Sequence, residues 1–126
     1  MTNMMKKLNI PFEQAIEKVQ KVLKDQGFGI ITQIDVKETL KKKLNVDYQN
    51  YKILGACNPS FAKEALDMEK EVGTLLPCNV IVYESGDGVQ ISIQKPTEMM
   101  KILNSDNLNQ LANKVESKLQ KVIDIL

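Results

Sequence analysis

Cys57-Asn58 and Cys78-Asn79 are the residues of this chain whose types and spacing could do chemistry. Each cysteine stands where the pattern changes. Cys57 closes an apolar run, and Asn58-Pro59 behind it is a helix-start pair. Cys78 follows Pro77 and opens the most apolar run of the chain. A thiol just before a helix N-terminus meets free N–H groups and the positive dipole end, which favour a thiolate. An anion or a polarised carbonyl could use the same N-terminus. The two asparagines could hold such a ligand, or only cap a helix and a strand end.

Three readings follow. In the first, Cys57, Asn58, Cys78 and Asn79 line a binding site for a small molecule, and no residue is catalytic. In the second, the chain is a thiol-dependent redox protein or enzyme, with Cys57 as the activated thiolate and Cys78 as its resolving partner. In the third, the role is structural or one of assembly, since free cysteine packs as a small hydrophobe.

Composition removes most other chemistries. Among the 126 residues there is no histidine, so Ser-His-Asp and Cys-His nucleophile systems and histidine-bearing zinc sites cannot be built. Two cysteines supply at most half of a structural zinc set, and no Cys-x-x-Cys is present; neither a metal nor a cofactor is expected. All 17 basic residues are lysine, so the planar fork that reads guanine, phosphate and carboxylate is missing. The formal net charge of +1 gives no field to gather nucleic acid, and none is expected as a partner. Asp35, Glu38 and Glu84 form no pair whose spacing implies acid–base work. The run Lys41-Lys42-Lys43 reads as a solvated helix face rather than an anion site.

The N-terminal MTNMMKKLNIPFEQ carries lysines with no apolar core behind them, unlike a signal peptide. No apolar run approaches the roughly 18–20 residues that span a bilayer. Reduced thiols and a cytoplasmic location are therefore the expectation.

The elements that must position these residues can be read in order. Met4–Ile10 predicts a short, weak strand. Pro11 opens a helix whose stripe is Phe12, Ala15, Ile16, Val19, Val22 and Leu23, with Gly27 as its stop. Phe28–Ile34 is a strand, with Phe28, Ile30, Thr32 and Ile34 expected on one face. Asp35 with Glu38 resembles a capping box, and the short helix behind it should bury Val36, Leu40 and Leu44. Tyr51–Cys57 is the next strand, followed by a helix with Phe61, Ala62, Ala65 and Leu66 inward. Gly73 and Pro77 break the chain before the strand Cys78–Glu84. Ser85-Gly86-Asp87-Gly88 is a hairpin turn whose glycines supply positive φ. Val89, Ile91 and Ile93 alternate along the following strand, and a short helix after Pro96 passes through Met100. From Ser105 or Asp106 a long helix keeps Leu108, Leu111, Ala112, Val115, Leu119, Val122, Ile123 and Leu126 on one stripe.

This order is α+β: one domain, 1–126, with a mostly antiparallel sheet of four to five strands and the long helices on one face. If the strands bearing Cys57 and Cys78 are antiparallel neighbours, both thiols fall at one sheet edge within about 10 Å. The strand 79–83 is apolar on both faces, and no helix remains to cover the second. A homodimer contact is the expected cover.

The phrases GFGIITQIDVKETLKKKL, ILGACNPSFAKEAL and GTLLPCNVIVYE resemble those of the domain-of-unknown-function 302 family, and the similarity spans about Phe12 to Met100. Its characteristic positions fall on Gly27, Phe28, Asp35, Gly55, Cys57, Asn58, Pro59, Leu75, Leu76, Pro77, Cys78 and Asn79. The resemblance implies a curved antiparallel sheet in a fold like that of the TATA-box-binding protein, often dimeric. It implies no established activity, and fold likeness to a DNA-binding protein carries no function by itself. The chain departs from the family pattern at its N-terminus, where the first strand looks short.

Overall fold

The computed structural model describes residues 3–126. Five strands form one open, wholly antiparallel sheet. They are β1 (Asn3–Leu8), β2 (Gly29–Asp35), β3 (Tyr51–Cys57), β4 (Cys78–Ser85) and β5 (Gly88–Gln94), and the spatial order is β1-β5-β4-β3-β2. The helices are α1 (Phe12–Asp25), α2 (Val36–Leu44), α3 (Pro59–Met68), α4 (Pro96–Met100) and α5 (Asp106–Ile125), with 3-10 turns at Lys70–Leu75 and Lys101–Leu103.

Helix α1 forms because its apolar residues recur at helical spacing, and the whole stripe from Phe12 to Leu23 is buried. It stops where Gly27 takes φ +90°. The Gly27 N–H then donates to the Lys24 carbonyl at 2.9 Å, and the Phe28 N–H to the Leu23 carbonyl at 2.8 Å. These two bonds satisfy carbonyls that a helix end leaves unpaired. They also turn the chain so that Phe28 drops into the core beside Leu23. Burial of a ring of this size contributes about 1.5–3 kcal/mol.

The main core lies between α1, the C-terminal half of α5 and one face of the sheet. That face presents Met4 and Leu8 from β1, Leu54 and Ala56 from β3, Val80 and Val82 from β4, and Val89, Ile91 and Ile93 from β5. A second, smaller core gathers Ala65, Val72, Met100, Leu108, Leu111 and Ala112, where α3 and the first 3-10 turn meet α4 and the N-terminal half of α5. Phe61 touches both cores. Helix α4 is pinned to α5 by Glu116, whose Oε1 accepts from the Thr97 N–H at 3.2 Å and the Thr97 hydroxyl at 2.6 Å.

Among the described residues the opposite face carries no such layer. Its central row crosses all five strands as Ile34, Ile53, Ile81, Ser92 and Met5. On one side runs Tyr51, Tyr83, Gln90 and Lys7; on the other, Thr32, Gly55 and Asn79, with Gln94 and Asn3 completing the line. Tyr51 and Tyr83 stack with ring centroids 5.2 Å apart.

Several expectations change. The N-terminal strand is not weak: β1 pairs with β5 over six residues. Helix α2 buries nothing, and Leu44 is 65% exposed. Asp35 still caps it, accepting from the Glu38 N–H at 3.0 Å, so the local signal forms a helix without a core to receive it. In β2 the register shifts between Ile30 and Thr32. This bulge breaks the period of two, leaving Ile30 with Ala56 on the core side and sending Thr32 and Ile34 to the open face. In the hairpin only Gly86 has positive φ, +62°. Gly88 is needed instead for proximity, because a Cβ there would meet the Leu8 carbonyl at 2.8 Å.

Candidate functional site

Strand β3 delivers Cys57 to the edge where β4 begins. Ala56 and Cys78 are direct partners in the ladder, which puts their Cα atoms roughly 4.5–5.5 Å apart. Cys57 is one residue further, so the two cysteine Cα atoms lie within about 9 Å. Both thiols are free and half-buried.

Asn58 ends the strand and caps α3, its Oδ1 accepting from the Phe61 N–H at 3.2 Å. Its amide nitrogen lies over Gly27, where an added Cβ would come within 2.9 Å of Nδ2. One side chain therefore starts α3 and leans on the turn that ends α1. Gly55 answers a second close approach: a Cβ there would run into the Thr32 hydroxyl and lie 2.8 Å from Pro77 Cγ. The Leu76–Pro77 bond is cis, and Pro77 leads directly into Cys78.

Between these strand ends and the helices lies a cavity of about 50 Å³. Phe28 and Ala56 form its inner wall, Phe61, Ala62 and Ala65 the α3 side, and Leu108, Leu111, Ala112 and Val115 the α5 side. Pro96 and Met100 come from α4, and Cys57, Asn58, Leu76, Pro77 and Cys78 complete the remaining side. A void with so few polar groups stays free of water, and one of about 150 Å³ is the size that takes benzene. The space therefore suits a fragment of a few heavy atoms, far below the roughly 300 Å³ of a site for a cofactor or drug-sized ligand.

Of the four residues singled out in sequence, Cys57, Asn58 and Cys78 meet at this cavity. Asn79 does not. Alternation along β4 directs Val80 into the core, so Asn79 points to the open face and is exposed. The sequence reading missed the helical walls. Their signal was present as Ala62, Ala65 and Ala112, small residues on facing helix stripes where larger ones would have filled the gap.

Burial is the main electrostatic influence on Cys78: with a smaller contribution from the charge of Cys57, it pushes the thiol up to about 11. A thiolate in that surround loses its hydration with nothing cationic to replace it. At the start of α3 the Asn58 carboxamide, not the Cys57 thiol, takes the Phe61 N–H. Among the described residues no group of three or more Cys, Asp or Glu could hold a metal ion. No helix described is long and apolar enough to cross a membrane.

Comparison with known proteins adds the family. No curated protein matches the chain. The crystal structure of an uncharacterised conserved DUF302 protein from Bacillus stearothermophilus superposes with a TM-score of 0.91 at 30% identity, covering 98% of this chain and 97% of that one. The model of the domain of unknown function DUF302 matches residues 4–126. The chain belongs to the DUF302 family.

Proposed function

We propose that this protein is a homodimeric binding module that takes the apolar end of a small molecule into the cavity beside Cys57, Asn58 and Cys78. One observation carries the reading. The two cores fail to close on each other, and the gap of about 50 Å³ between them opens beside the only two thiols of the chain. The polar end of the ligand would remain near Asn58 at the strand ends, in contact with solvent. Asn79, on the other face, has no part in this.

The test is thermal unfolding with propanol, butanol and the corresponding thiols as probes, on the wild type and on Ala112→Leu, which fills the gap from α5. A probe at ten times its Kd stabilises by about 1.4 kcal/mol. The wild-type midpoint should rise and that of the filled variant should not. Equal rises in both, or none in either, refute the site. Ala62→Val fills the same space from a half-buried position and serves if Ala112→Leu folds poorly.

The placement of Cys57 one residue beyond the Ala56–Cys78 ladder pair favours a second reading, in which Cys57 and Cys78 lose two electrons and two protons to an oxidant and form a disulfide. The high position of Cys78 opposes it, because exchange needs a thiolate. Mild treatment with diamide followed by intact mass distinguishes the two: a loss of about 2 Da marks the disulfide.

A further inference from the structure

We infer that the open face of the sheet is the surface on which two copies meet, with a two-fold axis passing close to Ile81. The inference rests on the dimeric reading above and specifies its surface. Strand β4 is the middle strand of five, and Ile81 is the middle of the central row. An isologous contact centred there sets Ile81 against its own copy and repeats every other contact twice.

Three observations support a second copy as the occupant. The first is area. The chain exposes 7493 Å², about 700 Å² more than the roughly 6,800 Å² expected of a folded monomer of its mass. A standard interface buries about 800 Å² per partner, and five strands at about 4.8 Å spacing offer a face on the order of 500 Å² before side-chain relief is counted. The excess, to which the unburied helix α2 contributes alongside this face, is of the same order as the requirement.

The second observation is charge. Lys7, on the edge strand, is the single charged residue in the three rows of this face, in a chain that is 26% charged. Depletion of charge at the centre is the compositional mark of an interface. It also disfavours nucleic acid, which needs several cations to neutralise phosphates. The third is incomplete burial along an apolar line. Ile34 is 49% and Met5 53% exposed, and Ile53 and Ile81 are half-buried, while the small Ser92 between Ile81 and Met5 is already covered by its neighbours. Stacked Tyr51 and Tyr83 extend this line with flat, rigid surface, the kind that interfaces favour.

Sedimentation velocity at about 100 µM reads the answer. The wild type should run at twice the chain mass of 14.2 kDa. Ile81→Lys and Ile34→Lys should run as monomers, since each places a lysine in the interface twice and weakens it roughly 100-fold or more. Ile102→Lys, on the 3-10 turn away from the sheet and 76% exposed, should remain dimeric. A monomeric wild type overturns both the surface and the dimeric reading. A dimer that survives Ile81→Lys and Ile34→Lys overturns the surface and leaves the dimer standing. Ile34 is exposed enough for its substitution to fold, so the test does not depend on Ile81 alone.

Discussion

Raising the pH should destabilise this protein through Cys78. The folded-state thiol titrates near 11 and the unfolded one near 9, with burial as the main cause. Because the folded value is the higher one, the unfolded chain sheds its proton first. The stabilisation is complete below about pH 9 and is lost as pH rises toward 11, with a limiting slope near 1.4 kcal/mol per pH unit. Two units of separation correspond to about 2–3 kcal/mol in all, of which about 2 kcal/mol is gone by pH 10.5. Lysines and tyrosines titrate in the same range, so the measurement must be a difference. Urea midpoints of the wild type and Cys78→Ala, taken from pH 8 to 10.5, should converge by that amount. Curves that stay parallel across the range would refute burial as the factor controlling this thiol. An independent reading is available at pH 8. There the thiolate fraction of Cys78 is about 0.1%, against about 10% for a thiol titrating at 9, so alkylation should be about 100-fold slower than for an unfolded control.

Three further outcomes follow from the site's framework. Asn58→Ala removes the cap of α3 and should cost about 1 kcal/mol in urea unfolding, whereas Asn58→Asp retains an acceptor and most of the stability. Gly55→Ala drives a methyl into Thr32 and Pro77 and should destabilise by about 1–3 kcal/mol; pairing it with Thr32→Ala should recover part of that loss, and no recovery would discredit the contact. Lys63→Ala breaks an exposed contact to Asp67 that water screens, so its urea midpoint should not move measurably.

Where local pattern and tertiary packing agreed, the fold was legible in the residues. The stripes of α1 and α5 and the stop at Gly27 needed no partner to be read. Strand β1 was underrated because Lys6 interrupts its apolar alternation, and its stability comes from β5, more than 80 positions away. Helix α2 shows the reverse case: Asp35 and a helical pattern made a helix, but spacing alone cannot say whether another layer lies beneath it. The bulge at Ile31 was hidden because one extra residue in a strand leaves no compositional trace. At the site, antiparallel pairing of β3 and β4 was enough to bring the cysteines together. Alternation could also have excluded Asn79, since Val80 beside it had to face inward. The cavity itself was out of reach, because it is a shortfall of volume among three helices rather than a property of any segment.

The way α5 is shared between the two cores has a kinetic consequence. Its first turns, at Leu108 and Leu111, wall the cavity, while Leu119, Val122 and Ile123 further along are held in the main core. This wall cannot swing aside without loosening the whole molecule. Widening of the mouth at Asn58, the cap of α3, must therefore come from α3 and the 3-10 turn after it, which are tied to the rest mainly by the smaller core. The rate of exchange would then report the local opening of Pro59–Leu75, and amide hydrogens there should exchange far sooner than those around Leu119.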